Sequence, residues 1–147
     1  MADEAVRYGA IDLAQGVLHT EPPKVLIDLL SELITEPRVH TYSSPQGIPA
    51  YLESLENLLA TEGTPVSKTN LLGSSGNTGG LLAVLIAHCS AGDRVILPEP
   101  FYPAHLWAIR AARCEPVFVG YNERFTPNEA ELLQLLPTAR AVILCNP

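Results

Sequence analysis

The stretch GSSGNTGG, residues 73 to 80, holds four glycines, two serines, an asparagine and a threonine. Glycine is costly inside a regular element, so this density marks backbone that turns sharply or comes close to something. The stretch lies between Leu71-Leu72 and an apolar run that begins at Leu81. A strand before it and a helix after it place free backbone N–H groups at the helix start. An anion is favoured there by about 0.3–1 kcal/mol. Ser74, Ser75, Asn77 and Thr78 add side chains that donate hydrogen bonds or cap the helix. The nucleoside triphosphate loop and the dinucleotide fingerprint both require other spacings, and neither is present. The G-x-S-x-G of a hydrolase nucleophile is also missing. Taken by itself, the stretch serves equally as a tight turn with an N-cap.

Two further segments bear on the choice. PEPFYP, residues 98 to 103, follows RVIL, and CNP, residues 145 to 147, follows AVIL. Three prolines stiffen the first and hold Phe101 and Tyr102 near a strand end, where a ring either stacks on a flat ligand or plugs the end of the sheet. A phosphate cradle, a rigid ring and a polar strand end together suggest a phosphorylated planar cofactor. Metal chemistry finds no support: histidines 19, 40, 88 and 105 have no ligand spacing to each other or to a cysteine. Cys89 and Cys114 lie in or beside apolar stretches and read as inert buried thiols.

The elements that must position these residues follow from the pattern. TEPPKVLIDLLSELITEP predicts a helix with prolines near its start, after a brief extended segment in IDLAQGVL. GIPAYLESLENLLATEG predicts an amphipathic helix carrying Ile48, Leu52, Leu55 and Leu59 on one stripe. From there strand and helix alternate. TNLLGSS, RVILPEP, EPVFVGY and AVILCNP are the strands, and GGLLAVLIAHC, YPAHLWAIRAAR and NEAELLQLL the helices. Such alternation predicts an α/β fold with a mostly parallel sheet and flanking helices. The helix over residues 81–89 is apolar on nearly every side and is expected to lie deep.

Bulk properties narrow the function. The chain has 147 residues, 47% hydrophobic, with a net charge of -7 and only 9 Lys plus Arg. A nucleic-acid partner calls for a basic patch, which this composition does not offer. No apolar run approaches the roughly 18 residues that span a bilayer, and the acidic start MADEAVRYG is not a signal peptide. The expectation is a soluble cytoplasmic protein with no membrane partner.

The motifs, in order, resemble those of the fold-type I pyridoxal-phosphate enzymes of the class I and II aminotransferase family, from about Ile11 to the last residue. IDLAQG resembles the opening segment, whose glycine, here Gly16, lies against the substrate carboxylate. YSSPQGIPAY resembles a Y-x-x-x-x-G motif. It implies that Tyr42 reaches the cofactor phosphate of the partner subunit in a homodimer. SSGNTGGL resembles the phosphate loop, with Ser75, Gly76, Asn77 and Thr78 as the matching positions. AGDRVILPEPFYP resembles the segment whose tyrosine, here Tyr102, stacks on the pyridine ring. ARAVILCNP resembles the start of the N-P-x-N-P-T-G stretch.

The resemblance implies pyridoxal 5'-phosphate as cofactor and amino-group transfer between an amino acid and a 2-oxo acid. A β-lyase, decarboxylase, racemase or aminocyclopropane-carboxylate-synthase-like reaction stays open, as does a non-catalytic paralogue. It further implies an arm-like segment over residues 1–40 and the first half of the cofactor-binding large domain over 41–147. The chain would stop short of the Schiff-base lysine, so no catalytic residue is assigned, and the product would be truncated or partial and inactive alone. Lys24 and Lys68, the lysines present, read as solvated. In the family's sheet the strand around Leu71-Leu72 would find no native partner among these residues.

Overall fold

The computed structural model describes residues 2–12, 16 and 18–145. The chain divides into two compact units, Met1–Ser43 and Ser44–Pro147. The first contains α1 (Ala2–Arg7), α2 (Lys24–Leu33) and a 3-10 turn at Pro37–His40. Pro23 occupies the N-cap position of α2, where its missing N–H would have no helical partner. Lys24 Nζ meets Asp28 at 2.7 Å one turn later. No residue of α2 is buried, although Val25, Leu26, Leu29, Leu30 and Leu33 lie along it. Half of IDLAQGVL, residues 13–15 and 17, lies outside the described residues.

The second unit begins with a loop and α3 (Pro49–Thr61), which has Pro49 in its first turn and Leu52 buried. A 3-10 turn at Lys68–Asn70 leads to α4 (Gly76–His88). Three parallel strands follow: β1 (Arg94–Glu99), β2 (Glu115–Gly120) and β3 (Ala141–Val142), in the order β2-β1-β3. α5 (Pro103–Ala111) joins β1 to β2, and α6 (Glu129–Leu135) lies between β2 and β3. The neighbours of β1 lie on opposite sides of it, so two right-handed crossovers put α5 and α6 on opposite faces. The α/β class and the parallel sheet with flanking helices are as the alternation predicts.

β1 is the centre of the sheet, and Val95, Ile96 and Leu97 are fully buried because both of its faces are covered. Val95 and Leu97 join Leu85 of α4, Ala108 and Ile109 of α5, Cys114 and Ile143 in one core. The register runs from Arg94 opposite Glu115 to Glu99 opposite Gly120. β3 pairs only through Val95–Ala141 and Ile96–Val142, with Ile143 N–H donating to Ile96 O at 2.9 Å. The next residue of β1 that faces this side is Pro98, which has no N–H, and the ladder ends. The predicted strand AVILCNP is therefore two residues long. Asn146 and Pro147 fall outside the described residues.

Two expectations are corrected. TNLL is not a strand: Lys68–Asn70 form the 3-10 turn, and Leu71 to Ser74 pair with no strand among the described residues. Gln46 takes the role of a neighbour. Its Nε2 donates to the carbonyls of Leu71 at 2.9 Å and Thr69 at 3.2 Å, and its own carbonyl accepts from Gly73 N–H at 2.8 Å. Nor does the helix over 81–89 lie deep. Leu85 is 2% exposed, whereas Val84 and Ile86 on the other side are 56% and 62% exposed. No helix among the described residues is long and apolar enough to cross a membrane.

Candidate cofactor site

α4 starts at Gly76, whose φ of +69° is a conformation that glycine adopts without the steric cost of a Cβ. One turn on, a Cβ placed on Gly80 would lie 2.9 Å from Ser74 Oγ, so the helix and the strand-like approach to it are in close contact. Ser74 Oγ donates back to Gly76 O at 3.0 Å, closing the turn. Ser75 occupies the N-cap position but its side chain does not cap, contrary to one of the roles its type allows. The hydroxyls of Ser75 and Thr78 and the amide of Asn77 make no hydrogen bond among the described residues, and all three residues are exposed.

The electrostatics of this helix end are those of an anion site. The first turn of α4 contains no acidic residue, and no charged side chain occurs from Thr69 to Ala87. The unpaired N–H groups and the positive end of the helix dipole are therefore not offset by a local carboxylate. At the other end Arg140 Nε donates to His88 O at 2.8 Å, so a cation sits against the negative pole.

Tyr102 is the N-cap of α5, with extended backbone and Pro103 at the first helical position. Phe101 beside it turns inward, stacking on Phe118 of β2 with centroids 5.6 Å apart and packing on the core. Tyr102 stays 57% exposed. Its ring meets His105 edge-on, centroids 5.6 Å apart at 83°. His105 is buried, and its Nδ1 has no hydrogen-bond partner among the described residues. Ligand spacing in the sequence gives His105 no role, and its contact with Tyr102 is a feature of the fold. The i, i+3 spacing from Tyr102 on a predicted helix is the signal that joins the two.

Topology brings Tyr102 and the start of α4 to one rim. α4 and β1 are each about 20 Å long. The short turn from Cys89 to Asp93 joins the end of one to the start of the other, and Leu85 packs on Val95 and Leu97. α4 therefore runs antiparallel to β1, and its first turn lies at the carboxyl end of β1, where Tyr102 follows. α4 and α5 pack against each other. This is the rim at which ligands of open α/β sheets bind. Ser75, Gly76, Asn77, Thr78 and Tyr102 are thus on one edge. Tyr42 and Gly16 belong to the first unit, and both are exposed. Lys24, engaged by Asp28, belongs there too, while Lys68 sits in the 3-10 turn.

A pyridoxal phosphate group fits what is present: a helix start without opposing charge, uncommitted hydroxyl and amide groups, and an exposed ring held at the same rim. The chain matches the family model for aminotransferase class I and II over residues 8–147. It is 27% identical to the aromatic aminotransferase ISS1 of Arabidopsis thaliana over 93% of this chain and 36% of the relative. To the putative aminotransferase AatC of Rhizobium meliloti it is 30% identical, over 93% of this chain and 35% of that one. A solved aminotransferase from Mycobacterium tuberculosis superposes with a TM-score of 0.85 at 24% identity, over 99% of this chain and 39% of that structure. The chain thus spans about a third of the length of the curated relatives it matches.

Proposed function

The chain belongs to the class I and II aminotransferase family, and on that premise we propose that it supplies the phosphate-holding and ring-facing part of a pyridoxal-phosphate-dependent aminotransferase. The reaction is amino-group transfer between an amino acid and a 2-oxo acid. One observation carries this reading: within the matched residues, the uncharged start of α4 and the exposed Tyr102 share the carboxyl rim of β1.

The N–H groups of the first turn of α4 hold the phosphate, with Ser75, Gly76, Asn77 and Thr78 around it. Tyr102 lies against the ring, and His105 keeps the Tyr102 ring from swinging away. Tyr42 reaches the phosphate held by the partner subunit of a homodimer, and Gly16 borders the substrate carboxylate. The cofactor, when bound, supplies an electron sink for negative charge at the substrate α-carbon. The work of this chain is to bind and orient. Residues 1–40 act as an arm, and residues 41–147 as the first half of the cofactor domain. Neither Lys24 nor Lys68 serves as the amine that anchors the cofactor, so the 147 residues alone turn nothing over. The protein is cytoplasmic.

The test takes the whole product of the gene with pyridoxal phosphate, a panel of amino acids and 2-oxoglutarate, and follows formation of the new amino acid. Transfer that falls about tenfold or more in Asn77→Ala with Thr78→Ala, equal to about 1.4 kcal/mol, supports the reading. Release of ammonia or carbon dioxide in place of transfer reassigns the reaction within the fold. A whole product that retains no cofactor overturns the proposal.

A further inference from the structure

Cys89 and Cys114 are distant in sequence but neighbours in the fold. Cys89 follows the last residue of α4, and Cys114 precedes the first residue of β2. Cys114 is a buried member of the main core, and the half-buried Cys89 packs against that same core. Cys114 Sγ lies 3.7 Å from the carbonyl of Ser90, the residue after Cys89. The two connecting turns are joined on either side of this point. Gly92 N–H donates to Arg113 O and Glu115 N–H to Asp93 O, both at 2.9 Å, and Ser90 N–H donates to Asp93 Oδ2 at 2.8 Å. The backbone around both thiols is therefore fixed. Cys145 is exposed.

We propose that Cys89 and Cys114 form an oxidisable dithiol site that closes to an intramolecular disulfide by exchange with a small-molecule disulfide such as oxidised glutathione. Closure ties the end of α4 to the start of β2. Cys89, the more exposed of the two, reacts first. Its thiolate attacks one sulfur of the small disulfide, whose S–S bond breaks and releases one thiolate. The Cys114 thiolate then attacks the Cys89 sulfur, and the second small thiolate leaves. Two protein thiols are oxidised, one small disulfide is reduced to two thiols, and these take up the two protons.

The electrostatics agree with that order. Burial pushes the Cys114 thiol up, and the charge and hydrogen bond of the neighbouring Cys89 sulfur push it further, with Asp93 adding to the effect. A high thiol pKa makes Cys114 a poor first nucleophile. Once the Cys89 sulfur is in a mixed disulfide its charge is gone, and so is that part of the barrier to ionising Cys114.

The experiment incubates the native 147-residue chain with oxidised glutathione, blocks the remaining thiols by alkylation, and maps peptides without reduction. The expected product is a Cys89–Cys114 linked peptide, in about tenfold or greater excess over any pair with Cys145, because folding raises the effective concentration of one pair only. In concentrated urea the preference should disappear. Cys114→Ser should leave Cys89 as a persistent glutathione adduct, and Cys89→Ser should leave Cys114 unreacted in the native chain. A native wild-type chain that accumulates the Cys89 adduct with Cys114 still free overturns the proposal, as does the same pairing distribution in native and denatured samples.

Discussion

Tyr102 is positioned by its chain neighbours. Phe101 anchors the segment inward on Phe118, Pro103 begins the helix, and His105 meets the tyrosine ring from one turn on. If this ring lies against the cofactor, Tyr102→Ala in the whole gene product should weaken retention of pyridoxal phosphate by about 0.5–1.5 kcal/mol, measured by titration calorimetry. Unchanged affinity would remove Tyr102 from the site. Cys114 makes a prediction that needs no ligand. Its thiol is held above the ordinary value of 9.0, chiefly by burial. The folded state thus keeps a proton that the unfolded state gives up. The resulting stability is fully present below about pH 9 and is lost as pH rises from there through the folded value. Urea midpoints should fall in that window, and the fall should shrink in Cys114→Ala; an identical pH profile in the variant would contradict the assignment. The turn that starts α4 and the helix start after Tyr102 were legible from type and spacing, since glycine density and a proline-bracketed tyrosine are local signals. The orphaned Nδ1 of His105 was not, because burial of one polar atom depends on what packs around it.

The extended entry to α4 is held by Gln46, through its side chain and its backbone carbonyl. Gln46 bonds to the carbonyls of Thr69 and Leu71 and, through its own carbonyl, to Gly73. Gln46→Ala removes the side-chain bonds and keeps the backbone bond. We expect a loss of about 0.5–1.5 kcal/mol of stability and faster amide exchange around Leu71 to Ser74. Unaltered exchange there would show that the entry is held some other way. The strand reading of TNLL failed for a related reason. Two leucines suggest a strand, but the preceding Ser67, Lys68 and Thr69 favour a turn, in which Ser67 Oγ accepts from Thr69 N–H. A parallel strand exists only where a neighbour supplies the ladder. By contrast, α3, α5 and β1 were legible because proline at a helix start and a continuous apolar run are decided by the chain itself.

Across the whole chain, the core is centred on β1, and the apolar surface away from it is extensive. Val84 and Ile86 of α4 and most of α2 face outward. An all-round apolar helix was expected to be buried on every side, and within these residues only the side carrying Leu85 is. Exposed apolar area on this scale should bind an apolar-surface dye at micromolar protein, and Val84→Glu with Ile86→Lys should reduce that signal without lowering the urea midpoint. Equal dye binding in the variant would place the sticky surface elsewhere. The covering of such faces could not be read from the pattern, which reports how apolar a helix is and not what stands opposite it.

The central claim is that the first turn of α4 takes the anionic end of the cofactor while Tyr102 takes its ring. Amide and side-chain NMR shifts of the chain, titrated separately with pyridoxal phosphate and with inorganic phosphate, test it most directly. Both ligands should move the amides from Gly76 to Gly79, and only pyridoxal phosphate should also move the Tyr102 ring signals. Shifts gathered around Lys24 or Lys68, with that first turn unmoved, would contradict the account.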